Sequence, residues 1–235
     1  MGYSEKYMRL GGLQKCSLID YPGKVSAIAF TVGCNFHCPY CHNPELVDET
    51  ADEINPDEFF NFLATRQGKL DAVTVTGGEP TLHDDLLPFL KKIKKLGFLA
   101  KLDTNGTHPD TIKKALADKL VDYLAMDIKA PLHKYEGTVA RPTDIDAITE
   151  SINLIKTNQV PYEFRTTVIK SLLPIEDFHG IGEAIAGAKI YFLQKFIPTK
   201  LLNPAFRKKT TYSDEEFTEI QSIMSTYVET CLIRG

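Results

Sequence analysis

Hydrophobic and polar positions follow a repeated order along this chain. A short apolar run rich in β-branched residues gives way to a longer stretch whose apolar residues fall three and four apart. The runs at 25–32 (VSAIAFTV), 72–76 (AVTVT), 98–102 (FLAKL), 123–126 (YLAM), 162–168 (YEFRTTV) and 190–196 (IYFLQKF) read as strands. Between them, residues 56–65 follow Asn55, a candidate N-cap, and carry proline at the first helical position. Leu86, Leu87, Phe89, Leu90, Ile93 and Leu96 give 84–96 a helical stripe. Residues 110–118, 144–157 and 175–186 read as further helices, and Ser213 with Glu216 forms a capping-box pattern that opens a last one.

Each strand after the first is preceded by a helix. Repeated units of this kind imply a parallel sheet with helices outside it. Six units exceed a half-barrel and fall short of eight, so the expected fold is α/β, a partial open (β/α)6 TIM-type barrel. A flat doubly wound sheet is the alternative. The chain is expected to form a single domain over 1–235: an extension at 1–24 before the first strand, the partial barrel at 25–198, and a loop and helix at 199–235.

The polar residues that break this pattern gather where strands end. Cys34 follows the first strand, Glu79 the second, Asp103 and Thr104 end the third, and Asp127 and Lys129 end the fourth. In parallel α/β folds the C-terminal strand ends carry the active site. Consecutive strands therefore deliver ionisable or metal-binding groups to one edge.

Composition narrows the setting. With 43% hydrophobic and 25% charged residues, the chain has enough apolar content to argue against long disorder. A net charge of −4 offers no global attraction to nucleic acid or to an anionic membrane, and neither is expected as a partner. No apolar run is long enough to span a bilayer, and residues 1–6 lack the basic-then-apolar order of a signal peptide. The expectation is a cytoplasmic protein. Five cysteines, three of them crowded together, suit a metal site in a reducing compartment better than a disulfide framework. Cys16 and Cys231 stand alone and read as small hydrophobes.

The crowded three form Cys34-Asn35-Phe36-His37-Cys38-Pro39-Tyr40-Cys41. A [4Fe–4S] cluster normally takes four thiolates, so three leave one iron open to a ligand that is not protein. The rival reading is zinc, with His37 or His42 as a fourth ligand. Against it, no second Cys/His pair follows to close a tetrahedron, and a chain of this size needs no metal to fold. Thr76-Gly77-Gly78-Glu79-Pro80 is the second motif: glycines after a strand let backbone approach a ligand, and Glu79 adds a carboxylate able to accept from an ammonium.

Together these motifs resemble the radical S-adenosylmethionine (radical SAM) superfamily. The resemblance implies that Cys34, Cys38 and Cys41 hold a [4Fe–4S] cluster. S-adenosyl-L-methionine would fill the open iron site and be cleaved reductively to a 5′-deoxyadenosyl radical. It further implies Tyr40 near the adenine and Gly77, Gly78 and Glu79 at the methionyl amino group.

Asp103-Thr104-Asn105-Gly106 and Asp127-Ile128-Lys129 resemble motifs of the glycyl-radical-enzyme activating branch. There the equivalents of Asp103, Thr104 and Asp127, with a carbonyl near Ala125, hold a monovalent cation (Na+ or K+), and the lysine approaches the S-adenosylmethionine carboxylate. Oxygen-only ligands suit such a hard cation.

Ser17-Leu18-Ile19-Asp20-Tyr21-Pro22-Gly23 resembles the segment whose aspartate, here Asp20, meets the glycyl loop of the partner. The implied activity is generation of a glycyl radical on a partner enzyme, anaerobic ribonucleotide reductase or a pyruvate formate-lyase-like enzyme. Reduced flavodoxin or ferredoxin would donate the electron.

Two departures stand out. Tyr21 occupies a position where pyruvate formate-lyase activators carry glycine. The last strand offers no histidine for S-adenosylmethionine, which leaves Gln194 or Lys195 as substitutes. The runner-up function is a radical SAM enzyme acting on a small molecule, and a zinc-stabilised binding module is the third. His83 and the lysines at 91–95 read as a helix-entrance residue and a solvated helix face.

Overall fold

A computed structural model describes residues 8–235; the first residues, read above as lacking a signal sequence, lie outside the described part. Among the described residues, eight strands form one sheet in chain order, β1 to β8. A doubly wound sheet would reverse its order at a switch point. No reversal occurs, and the α/β class expected from the alternating pattern is the one found. The chain divides into two compact units.

The first unit comprises the residues up to Asn35, Glu45–Thr104 and Asp110–Leu124. Strand β1 (Leu10–Ser17) runs antiparallel to β2 (Ser26–Thr31), which pairs in parallel with β3 (Ala72–Gly77), and β3 with β4 (Leu99–Thr104). Helix α1 (Pro44–Val47) follows the cysteine run, and α2 (Pro56–Ala64), α3 (Leu86–Lys95) and α4 (Pro109–Ala117) alternate with the strands. Asn55 caps α2 by accepting from the Asp57 N–H, as its position promised. Phe59 is fully buried, stacks on Phe89 of α3 at 5.4 Å between ring centroids, and meets Phe60 edge-on at 5.3 Å.

Strand β5 (Tyr123–Asp127) begins in the first unit and ends in the second, which comprises Phe36–Pro44, Asn105–Pro109 and Ala125–Gly235. There β6 (Tyr162–Val168), β7 (Ile190–Lys195) and β8 (Thr230–Arg234) pair in parallel. Helices α5 (Tyr135–Val139), α6 (Ile145–Thr157), α7 (Asp177–Ala184) and α8 (Asp214–Met224) connect them. The Ser213–Glu216 capping box is formed on both sides.

Two strands escaped the sequence reading. β1 lies within the supposed N-terminal extension, and β8 follows the supposed last helix. The sequence of β1, LGGLQKCS, carries two glycines and three polar residues, Gln14, Lys15 and Ser17, and its pairing to β2 is interrupted by register shifts. It holds through backbone hydrogen bonds that periodicity does not display. β8 has only five residues, about the lower limit of a detectable alternation.

The aromatic layer between α2 and α3 sets one expected outcome. Phe59→Ala should destabilise the chain by about 3–5 kcal/mol, read as a lower urea midpoint with an unchanged slope.

Candidate functional site

The first unit carries the Gly-Gly-Glu turn. Gly77 has φ 125°, a conformation that side chains rarely adopt, and a Cβ there would meet the Thr31 backbone. A Cβ on Gly78 would collide with the Gly33 carbonyl oxygen. This bareness lets the turn after β3 rest on the turn after β2. The Gly78 N–H donates to Thr31 O at 2.9 Å and the Glu79 N–H to Gly33 O at 2.8 Å, one residue before Cys34.

Glu79 is 1% exposed. Its Oε1 accepts from the Thr81 N–H at 3.1 Å, the Thr81 hydroxyl at 2.5 Å and the Thr104 hydroxyl at 2.7 Å. The turn after β3 and the end of β4 thus fix one carboxylate. Two residues apart on β4, and so on one face, Lys101 and Asp103 form an ion pair at 2.7 Å. Lys101 is 2% exposed, and its ammonium lies 5.9 Å from the centre of the Tyr123 ring.

At the opposite strand ends lies the Ser17–Gly23 segment. Tyr21 packs with Ala72, Leu99 and Tyr123, which open β3, β4 and β5, at 5.6 Å between the two tyrosine rings. Asp20 is capped locally by the Ser17 hydroxyl, while Leu18 (73%) and Ile19 (84%) project into solvent. Asp20 therefore stands at the strand starts, away from Glu79 and Asp103 at the strand ends.

In the second unit, backbone bonds pin the cysteine loop. The His37 N–H donates to Val139 O, the Cys41 N–H to Cys38 O, and the Leu202 and Asn203 N–H groups to Cys41 O and Pro39 O, each at 2.9 Å. His42 makes a 2.9 Å hydrogen bond with the Ile197 carbonyl and stacks on Phe196. Burial pushes the Cys38 thiol up to about 11, with the Lys129 ammonium pulling the other way. Tyr40 is buried and hydrogen-bonded to Cys38; burial and then the Cys38 charge hold its hydroxyl protonated.

Asp127 and Lys129 come together, and Arg165 joins them. Arg165 Nε donates to Asp127 Oδ1 at 2.6 Å and Lys129 Nζ to Asp127 Oδ2 at 3.0 Å. Burial would raise the Asp127 pKa, but Arg165 and then Lys129 override it and hold it well below the carboxylate range. Lys129 is held above its ordinary value for the matching reason: burial opposes its charge, and Asp127 outweighs burial. The Tyr135 hydroxyl accepts from the Lys129 N–H at 3.1 Å and donates to Asp127 O at 3.4 Å, which fixes the backbone between the two side chains. Gln194 lies in register between Thr167 and Arg234, on the same face as Arg165.

Sequence reading missed Lys101, Tyr135 and Arg165. Lys101 sits within an otherwise apolar run. Glu163, Arg165 and Thr167 do alternate with Tyr162, Phe164 and Val168, but alternation marks a polar face without saying what it faces.

The residues fit the groups implied by the motifs. No described cysteine is in a disulfide. A buried thiol whose pKa is near 11 becomes a thiolate when a metal ion binds it. Among the described residues no three His, Cys, Asp or Glu side chains converge as a single-ion site. A four-iron cluster asks for a different arrangement, with one thiolate for each of several irons rather than all on one centre. Within the first unit, Glu79 is an acceptor held by Thr81 and Thr104, of the kind an ammonium needs; within the second, Lys129 is a cation held on Asp127, of the kind a carboxylate needs.

Two outcomes follow. Gly78→Ala should destabilise the chain by about 2 kcal/mol or more, because backbone must move to admit the methyl group, whereas Gly137→Ala, with open space around it, should be near neutral; urea midpoints measure both. Asp127→Asn should remove on the order of 2 kcal/mol at pH 7 from the metal-free chain, below the range for a fully buried pair. The folded-state pKa of Asp127 is depressed, so the wild-type advantage is present above the unfolded value near 3.9 and is lost as pH falls through the folded value. Denaturation curves of the two proteins should converge on acidification below about pH 4.

The family model and a full-length relative show the family, and a solved structure shares the fold. Residues 28–185 match the Radical SAM superfamily. A protein of Methanocaldococcus jannaschii described as a putative glycyl-radical enzyme activating enzyme is 35% identical over 233 residues, covering 96% of this chain and 95% of that one. The pyruvate formate-lyase-activating enzyme of Staphylococcus aureus is 37% identical over 105 residues, 42% of this chain and 38% of its own. Among solved structures, Streptococcus suis SuiB bound to precursor peptide SuiA superposes with a TM-score of 0.68 at 13% identity, over 88% of this chain and 48% of SuiB. With the cysteine run and the Gly-Gly-Glu turn in place, the chain belongs to the radical SAM superfamily.

Proposed function

We propose that this radical SAM enzyme activates a glycyl-radical enzyme. The observation that carries the reading is the end-to-end match, 35% identical over 96% of the chain, to a putative glycyl-radical enzyme activating enzyme. A [4Fe–4S] cluster with S-adenosylmethionine bound would supply one-electron reductive cleavage of the sulfonium, the electron coming from the reduced donor, and hydrogen abstraction from a glycine of the partner.

The chain's own residues then have defined tasks. Cys34, Cys38 and Cys41 would hold the cluster and leave one iron for the substrate. Glu79, immobilised by Thr81 and Thr104, would accept from the methionyl ammonium. Lys129, held on Asp127, would meet the carboxylate, and Arg165 keeps Asp127 ionised for that purpose. Tyr40 would border the adenine, and Gln194 is the candidate in place of a histidine. A monovalent cation on Asp103, Thr104 and Asp127 would compete with Lys101, Arg165 and Lys129, which already neutralise these carboxylates. Asp20 stands at the strand starts beside the solvent-exposed Leu18 and Ile19, so a contact with the partner's glycyl loop would require that loop to reach past the strand ends that carry Glu79 and Asp103. Anaerobic ribonucleotide reductase and a pyruvate formate-lyase-like enzyme are the partner classes, with reduced flavodoxin or ferredoxin as donor.

The test is anaerobic reconstitution with iron and sulfide, followed by reduction with dithionite in the presence of S-adenosylmethionine. Production of 5′-deoxyadenosine and methionine is expected, and its loss in Cys38→Ala, which removes a cluster thiolate. Addition of the partner should yield a glycyl-radical doublet by electron paramagnetic resonance. Cleavage without a doublet on either partner class, accompanied by turnover of a small molecule, would overturn the activation reading. Stoichiometric zinc with no bleaching on reduction would overturn both.

A further inference from the structure

The parallel pairing of β6, β7 and β8 sets side chains in rows. Arg165, Phe192 and Leu232 lie in register, and so do Thr167, Gln194 and Arg234. Residues in register on neighbouring strands face the same side, as does Glu163, two residues before Arg165. Arg234 does not extend along its own row. Its guanidinium lies 3.7 Å from the centre of the Phe192 ring and reaches back to Glu163, with Nη1 to Oε1 at 3.1 Å and Nη2 to Oε2 at 3.3 Å. Glu163 is 1% exposed, and its Oε1 also lies 3.8 Å from Arg165 Nη1. Arg165 Nε holds Asp127 Oδ1, and Asp127 Oδ2 holds Lys129. The result is an alternating line of charge: Arg234, Glu163, Arg165, Asp127, Lys129.

The line is longer than neutralisation requires. Asp127 has two cationic partners without Glu163, and a buried carboxylate in mid-strand is costly unless it is paired and hydrogen-bonded. What Glu163 adds is direction. A guanidinium is a planar fork that can grip one carboxylate with two parallel N–H groups. Here Arg165 is shared between two carboxylates, Nη1 toward Glu163 and Nε toward Asp127. Its Nε holds Asp127 Oδ1, while Asp127 Oδ2 accepts from Lys129. Arg234, pressed on Phe192, holds Glu163 through both oxygens and fixes the line from its far end.

We propose that Glu163 and Arg234 are positioning residues: through Arg165 and Asp127 they set the direction of the Lys129 ammonium, and with it the affinity for the carboxylate of S-adenosylmethionine. The proposal rests on the role given to Lys129 above. Neither residue itself would touch the ligand. The rival role is a tether that pins β8 to β6 and serves stability alone.

The experiment is anaerobic equilibrium dialysis of S-adenosylmethionine against the unreduced, cluster-loaded enzyme, with Tm recorded on the same samples. Arg234→Gln and Glu163→Gln should each weaken binding roughly tenfold, as loss of outer partners does elsewhere, and Arg234→Lys should recover part of that loss. In the pair Glu163→Gln and Lys129→Gln the effects should be non-additive, because the first acts through the second. A lowered Tm with wild-type affinity in Arg234→Gln and Glu163→Gln, or additive losses in the pair, would overturn the positioning role and leave the tether. Wild-type affinity in Lys129→Gln would overturn the Lys129 assignment and the positioning role with it. Should Arg234→Gln fail to fold, Arg234→Lys and the Glu163–Lys129 pair separate the same two roles.

Discussion

The carboxylate of Glu79 lies where it does because two glycines let the turn after β3 rest directly on the backbone of the turn after β2. The bonds from Gly78 to Thr31 and from Glu79 to Gly33 leave no room for a side chain between them. The chain leaving β2 becomes the cysteine run one residue later. A single backbone contact thus fixes the start of the thiol-bearing loop and the place of the buried acid together. Thr81 and Thr104 then lock that acid from two further directions, and a carboxylate that cannot turn is pre-organised for a cationic ligand.

The second constraint is electrostatic. Ionised groups removed from water need partners, and partners held by further partners become rigid. In the first unit this gives the Lys101–Asp103 pair on one face of β4. In the second it gives Asp127 between Arg165 and Lys129, with Glu163 and Arg234 behind them. The buried Cys38 thiol lies in the field of Lys129 and Asp127, so the charge line also sets the surroundings of a candidate cluster ligand. Each ion pair in such a network must first offset its own desolvation, so it adds less stability than its Coulomb attraction alone.

Much of the fold was legible because strand and helix have different apolar periods. The runs at 72–76, 162–168 and 190–196 fall on β3, β6 and β7, and the stripe through Leu86, Phe89, Leu90 and Ile93 is the buried face of α3. The strands that were not legible are those whose stability is not written as burial. β1 is glycine-rich and irregular in register, and β8 is short. Within the candidate site, cysteines, glycines and strand-end acids were visible because their residue types are rare in such places. Arg165, Lys101 and Tyr135 were not, because a cation in a strand or a tyrosine in a helix has many ordinary uses.

The sequence by itself determined the chemical inventory and its place along the chain: three thiols within eight residues, and acids at successive strand ends. Parallel strands with period-two alternation allow few other placements. Only the tertiary structure decided which charges meet. Arg165 reaches Asp127 from 38 residues away, and Arg234 reaches Glu163 from 71. It also brought Tyr21 onto Tyr123, two rings from distant parts of the chain. These pairings depend on strand register and side-chain direction, which arise when the sheet forms and are not encoded in any local window of residues.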